Sequence, residues 1–569
     1  MNKLVKVAGL VTAFVIAENS SFAQQEKSTK SGDVPKGWHL LDKTKDGYYG
    51  ISIDKAYEFI RTKNLKGKTV LVAVIDSGID TLHEDLKDIL WVNPKEIPGN
   101  GIDDDGNGYI DDIHGWNFIG GKDGKNVKQD SYEGARVYHM YKGKFGDKNI
   151  DTTKLSADEK DDYKMWLKSK KKIEGEGAEE GVDLVMLKRA LISAQKSDSS
   201  MRKFLNKETY TGNDVDTFNA VSPQEKGARA SLLYLFKANQ MMETTNKEFL
   251  DGFEEFVGGE ERKAEAKDKA PQNYRGDITK DNEADINDRS YGNPDVMAST
   301  PFHGTHVSGI IGAVRGNNKG MDGVADNVRI MMIRAVPDGD EHDKDIALAI
   351  RYAADNGAKV VNMSFGKDFS PQKKWVDEAV KYAESKGVLL VHAAGNDAKN
   401  IDTADNFPNA IMKDSHKKAS NWITVGASGD PKAGGLTASF SNYGKQQVDV
   451  FAPGVKIYSS IPGGNTYGNA QGTSMACPVV AGTAAFLLEY FPYLTPQQLK
   501  FCLMKSTQAP EGKVRKPGTE DMVALSDLSE SGGIINALEA AKIAATLDPS
   551  GKKAPKKSSP KPTLKNKKG

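Results

Sequence analysis

Four short runs rich in Val, Ile, Leu and Met limit what this chain can fold into more than any other feature. They cover residues 70–75 (VLVAVI), 328–336, 359–363 and 388–392. A strand with one wet face alternates apolar and polar residues, whereas a run without alternation is buried on both faces. Between the runs lie amphipathic helical stretches at 343–356 and 372–386, followed by Gly357 and Gly387. Glycine there suits the left-handed turn that ends a helix. Apolar runs alternating with helices predict an α/β fold, a parallel sheet with helices on both faces. In such sheets ligands bind beyond the carboxyl ends of the strands. The residues just after each run are therefore the place to look for chemistry.

That pattern occupies 65–120 and 291–547 but not the stretch between them. Residues 121–290 are dense in charge of both signs, with apolar residues at helical spacing such as Leu184, Leu187 and Leu191. A structureless loop of this length is rare inside a compact domain, so the block reads as an inserted, mainly helical subdomain. The chain has 569 residues and only two cysteines. It is long enough for a large core and is not a disulfide scaffold.

The two ends differ from the body. Residues 1–23 read as a signal peptide, with Lys3 and Lys6, a short apolar stretch, and Ser21-Phe22-Ala23 as the cleavage site. Export is expected, to a secreted, periplasmic or cell-surface location, and an N-terminal arm follows at 24–64. Residues 548–569 read as a basic, disordered tail. From 551 onward it holds eight lysines, three prolines and no acidic residue, too little apolar surface to fold. Surface attachment through this tail is the partner that its charge suggests. The balance of 78 basic and 78 acidic residues points to no nucleic-acid partner. Leaving out residues 1–23 and the eight tail lysines, 68 basic residues face 77 acidic ones, so an acidic body carries a basic tail.

Three segments carry reactive residues. Asp76 ends the first apolar run, where a carboxylate without partners would be costly to bury. His303 and His306 are three residues apart, a spacing that also raises a metallohydrolase, but the zinc pattern His-Glu-x-x-His is absent. Ser474 stands at the start of an apolar helix, where free backbone N–H groups favour an oxyanion. In the order Asp, His, Ser, the segments VAVIDSGID (72–80), HGTHVSGIIGA (303–313) and GTSMACPVVAG (472–482) resemble the signatures of the subtilisin-like serine protease (subtilase) family. VVNMSFG (360–366) and HAAGN (392–396) are similar to two further family segments. The resemblance covers about 40–120 and about 291–545.

This resemblance implies a secreted serine endopeptidase with a subtilisin-like sheet and protein or peptide substrates. Ser474 would be the nucleophile, His303 the general base and Asp76 the residue that orients the imidazole. Asn396 would supply the oxyanion amide, beside the Ser474 N–H. Ser364, Phe365 and Gly366 would pair with an extended substrate by main-chain hydrogen bonds, which implies broad specificity. A histidine base predicts activity rising through neutral pH. Cys477 reads as a small buried residue, and its pairing with Cys502 is left open. A rival reading is a non-catalytic binding protein on the same scaffold. Only 52 residues separate Ala23 from Asp76, so the folded inhibitory prodomain usual in the family is expected to be missing. The 121–290 block is the expected substitute.

Residues 101–112 (GIDDDGNGYIDD) form a dense array of oxygen ligands. Asp103, Asp105, Asn107, Tyr109 and Asp111 fall at EF-hand-like positions, with Gly106 at the turn. His114 stands where an EF-hand has its bidentate Glu, so a true EF-hand is excluded. So many crowded carboxylates repel unless a cation sits among them, which predicts a structural Ca²⁺ site.

Overall fold

The computed structural model describes residues 34–146, 149–174, 184–239, 241–242, 244–299 and 301–547. The signal-peptide and basic-tail readings fall outside them. Seven parallel strands make one sheet: β1 (Val70–Asp76), β2 (Gly115–Asn117), β3 (Val328–Arg334), β4 (Val360–Met363), β5 (Leu389–Ala393), β6 (Trp422–Ser428) and β7 (Val450–Pro453). Their order is β2-β3-β1-β4-β5-β6-β7. The chain leaves β1 for β3 on one side and then returns to place β4 on the other. Val72 thus pairs with both Ile330 and Val360, and the strand order reverses at β1. Ligand crevices open at such a reversal.

The four runs seen in the sequence became β1, β3, β4 and β5. They are buried because helices cover both faces. On one face, α8 (Asp343–Asp355) and α9 (Lys373–Ser385) pack over Ile75, Met331 and Val361. On the other lie α7 (Phe302–Gly312) and α10 (Thr473–Tyr490). Both are apolar around nearly their whole circumference, as a helix buried on all sides must be. The arm reaches this face too: α1 (Ile53–Thr62) packs there, and Trp38 Nε1 donates to Val455 O at 3.1 Å. A hairpin of β8 (Ile457–Ile461) and β9 (Thr466–Ala470) closes against α7.

Between β2 and α7 the chain forms α2 (Glu133–Phe145), α3 (Ala157–Glu174), α4 (Leu184–Leu205), α5 (Pro223–Ala238) and α6 (Asn246–Glu265). The last three enclose a separate apolar cluster that includes Leu187, Met201, Phe236 and Phe253. Capping boxes at Ser222/Glu225 and Thr245/Glu248 set the starts of α5 and α6. The ends of the 121–290 stretch return to the sheet. Arg275, fully buried, holds Asp345 of α8 through two bonds of 2.7 Å and Asp281 through bonds of 2.8 and 3.2 Å. Among the described residues no helix is long and apolar enough to cross a membrane.

Candidate active site

Three strand ends and two helix starts converge at the carboxyl edge of the sheet. Asp76 is the last residue of β1 and is almost fully buried. His303 is the second residue of α7, and its Nδ1 donates to Asp76 Oδ1 at 2.8 Å and Oδ2 at 3.0 Å. The approach depends on the next residue. A Cβ on Gly304 would lie 2.2 Å from Gly78 O and 3.1 Å from Asp76 Cβ, so only glycine lets α7 press this close. Burial works against the imidazolium, but the charge and hydrogen bond of Asp76 outweigh it and hold His303 above its usual pKa of 6.5. His306, one turn on, is buried with Nε2 on Gly468 O at 3.2 Å. Burial pushes its pKa down to about 4, and among the described residues no group of three or more metal-ligating side chains includes it or His303.

Ser474 is the second residue of α10, and the first turn of that helix leaves one donor free. Thr473 N donates to Asn396 Oδ1 at 2.9 Å, while Met475 N and Ala476 N both reach Gly472 O. The Ser474 N–H has no partner among the described residues. Asn396 accepts a second bond on Oδ1 from Thr473 Oγ1 at 3.0 Å, which turns its Nδ2 the other way. A Cβ on Gly472 would lie 3.5 Å from both Asn396 Nδ2 and Ser474 N. Both nitrogens thus stand the same distance from one point, which the missing Cβ of Gly472 leaves open.

The nucleophile's support comes from β4. Pro478 lies inside α10 and has no N–H to give the Ser474 carbonyl four residues earlier. Ser364 Oγ takes that place at 2.9 Å and is itself held by Asn362 Nδ2 at 2.9 Å. In return Ser474 Oγ donates to Ser364 O at 3.1 Å. The Ser364 hydroxyl is thus spent on the helix. Phe365 O accepts from His392 Nε2 at 2.8 Å, and burial pushes His392 down to about 4, keeping it neutral. Gly366 faces Asn406 Oδ1 and Phe407 O, each 3.2 Å from where its Cβ would stand. Sequence reading missed the parts of Asn362, His392 and Pro478. The one local signal was a proline four residues after a serine in a helix.

Cys477 is buried, with Sγ on Val391 O at 3.3 Å, and burial pushes its thiol up to about 12. Cys477 and Cys502 are both free, so the pairing left open by the sequence is not made.

In the acidic loop, Asp103 and Asp105 share a cluster with Glu96, their carboxylate oxygens all within 4.8 Å of one another. Sequence reading missed Glu96, which precedes the dense acidic string. The three clustered carboxylates also accept backbone N–H groups within the loop, and the other expected ligands have local duties as well. Asp111 accepts from the N–H groups of Gly99, Asn100 and Gly101. Asn107 bonds Asp112 Oδ2 through its Nδ2 and Tyr109 N through its Oδ1. The Tyr109 ring packs on Trp116, Phe118 and Tyr352. Among the described residues, the mostly exposed Lys95 approaches the cluster, 3.8 Å from Asp105. Three hard oxygen donors at that spacing fit a calcium-type ion.

Sheet, crevice and the three converging groups together describe an α/β protein with a hydrolase-like site. Residues 67–523 match the subtilase family model, and the chain belongs to that family. It is 45% identical over 186 residues to the thermophilic serine proteinase of Bacillus sp. (strain AK1), a stretch covering 32% of this chain and 42% of that protein. Thermitase of Thermoactinomyces vulgaris is 41% identical over 186 residues, covering 32% of this chain and 60% of thermitase. Each match spans less than two thirds of the relative's length. Among solved structures, a protease of Pseudoalteromonas arctica PAMC 21717 shares 28% identity, with 46% of this chain and 82% of that one covered and a TM-score of 0.35.

Proposed function

We propose that this chain is an exported serine endopeptidase acting through Asp76, His303 and Ser474, with Asn396 as oxyanion donor. One observation carries the reading: Asn396 Nδ2 and the Ser474 N–H, both without a partner among the described residues, stand 3.5 Å from one point beside Gly472. His303, already bonded to Asp76 through Nδ1, keeps Nε2 for the proton of Ser474. The serine oxygen attacks the peptide carbonyl, and the proton passes to Nε2 and then to the leaving amine. Water repeats the sequence to release the acyl group. At rest the hydroxyl sits on Ser364 O, and a substrate main-chain N–H competing for that oxygen would release it toward the imidazole. Phe365 and Gly366 continue the edge along which an extended substrate pairs.

Labelling by a serine-directed organophosphonate, lost in Ser474→Ala together with peptide hydrolysis, is the expected result. Absence of labelling in folded, calcium-loaded protein would favour the binding-protein reading instead. The relatives include one described as an extracellular protease, from Xanthomonas campestris, in keeping with export through residues 1–23. Glu96, Asp103 and Asp105 are the proposed holders of a structural Ca²⁺, which would neutralise their mutual repulsion. The basic tail is the proposed attachment to an anionic surface.

A further inference from the structure

The three residues that follow Gly366 are each gripped by the helical block. The Lys367 side chain is about 1% exposed, and its Nζ is bound by Glu133 Oε2 at 2.7 Å, Asp343 Oδ1 at 2.9 Å and Glu341 O at 2.7 Å. An ammonium has three donors, so all are used, and one goes to the first residue of α2. The main chain of Asp368 is held by Lys168 of α3, whose Nζ donates to Asp368 O at 2.8 Å and to Asp405 Oδ2 at 2.8 Å. Lys172 of the same helix takes Asp368 Oδ2 at 2.7 Å. Phe369 lies against Gly134, where a Cβ would stand 2.9 Å from its ring.

The grip is itself anchored. Arg136 bonds Glu133 Oε2 at 2.8 Å and reaches the carbonyls of Ser131, Asp340 and Glu341. Glu133 N donates to Asp340 Oδ2 at 2.7 Å. On the other side, Lys367 exchanges two main-chain bonds of 2.8 Å with Phe407. The edge that runs from Ser364 to Gly366 is therefore clamped at its far end, between Phe407 and the block.

We infer that Glu133, acting through Lys367, and Lys168 with Lys172, acting through Asp368, are positioning residues for the substrate-pairing edge. The block would then help to bind extended peptide substrates without touching the bond that is cut. This rests on the reading of 364–366 as the pairing edge. A substrate that pairs along several residues needs the edge in register. A short ester bound only at the reacting carbonyl does not.

The test compares the full-length protein with Glu133→Gln and with Lys168→Ala/Lys172→Ala on two substrates, a peptide of six or more residues and a single-residue ester. The lysine pair is partly exposed and half-buried Asp368 keeps Lys399 at 3.5 Å, so its removal leaves no buried charge without a partner and keeps the test open should Glu133→Gln fold poorly. KM for the peptide is expected to rise about tenfold in each folded variant, with kcat for the ester within about twofold. Organophosphonate labelling of Ser474 should proceed at the parent rate. Equal losses on peptide and ester, or no change on either with labelling intact, would overturn the inference. Failure of the parent protein to be labelled at all would overturn the endopeptidase reading and this inference with it, and that result is distinct from the other two.

Discussion

Asp76 meets His303 because a buried strand and a buried apolar helix touch at Gly304. Glu133 meets Lys367 because two opposite charges have been taken out of water together. The catalytic edge and the helical block thus border each other but are fixed by different forces. Apolar burial is non-directional and indifferent to pH. A buried ion pair is directional, and removing one partner leaves an uncompensated charge, at about 3–5 kcal/mol. The catalytic groups should keep their places through changes of charge that loosen the block. Such changes at the junction should alter how the proposed peptidase binds and survives before they alter its chemistry.

The largest expected effect sharpens the catalytic side. Asp76→Asn should cut kcat about 10⁴-fold, as the imidazole loses its orienting carboxylate, while the melting temperature changes little. The same carboxylate sets the pH profile. His303 lies above 6.5, so kcat/KM should rise with an apparent pKa above that value as the imidazole gives up its proton. A midpoint below 6 would contradict the Asp76 pairing. Asn396→Ala should cost about 100–1,000-fold in kcat with little change in KM.

On the other side of the comparison, Arg275→Met should destabilise the fold by about 3–5 kcal/mol in denaturant unfolding. It would remove the cation that holds buried Asp345 and Asp281, of which Asp281 keeps Lys344. A shift below about 1 kcal/mol would show that the junction is not held by charge. His342 tests the same idea through pH. Its Nε2 faces Asp130 at 3.0 Å and its Nδ1 faces Glu283 at 2.6 Å. Burial and Arg136 oppose its proton, yet the two carboxylates win and raise its pKa above 6.5. Because the folded value is the higher one, its stabilisation is complete below pH 6.5 and fades as pH rises through the raised value. His342→Gln should remove that alkaline loss, so that the variant's unfolding stability no longer falls as pH rises through the raised value. The smallest effect concerns the acidic loop. A chelator should lower the melting temperature by a few degrees, roughly the shift for 1 kcal/mol, and should do nothing in Asp103→Ala/Asp105→Ala.

Much of the catalytic side was legible in the chain. Residues 70–75 announced β1 because burial on both faces removes polar alternation, and 343–356 and 372–386 closed at Gly357 and Gly387 as drawn. Gly304 stands beside His303 in the segment 303–313, and the crowding at Gly78 O gives the physical reason for a glycine there. β2, β6 and β7 were not singled out: β2 has three residues, and 422–428 (WITVGAS) mixes small and polar side chains. The junction was invisible for a different reason. Glu133 and Lys367 stand 234 positions apart, and each looks like an ordinary surface charge in its own neighbourhood. Glu96 escaped notice because the loop folds it back onto Asp105 from outside the acidic string.

What the sequence by itself determined were features written within a few residues: strand runs, helix starts, and the Asp, Ser and Asn placed at the ends of buried elements. Tertiary structure alone decided which charges left water and which partner each then found. It turned the Ser364 hydroxyl to the carbonyl that Pro478 leaves without a donor, and it spent all three donors of Lys367 inside the protein. Periodicity is a local property of a chain. The pairing of a buried charge is a property of the space that the rest of the fold has closed around it.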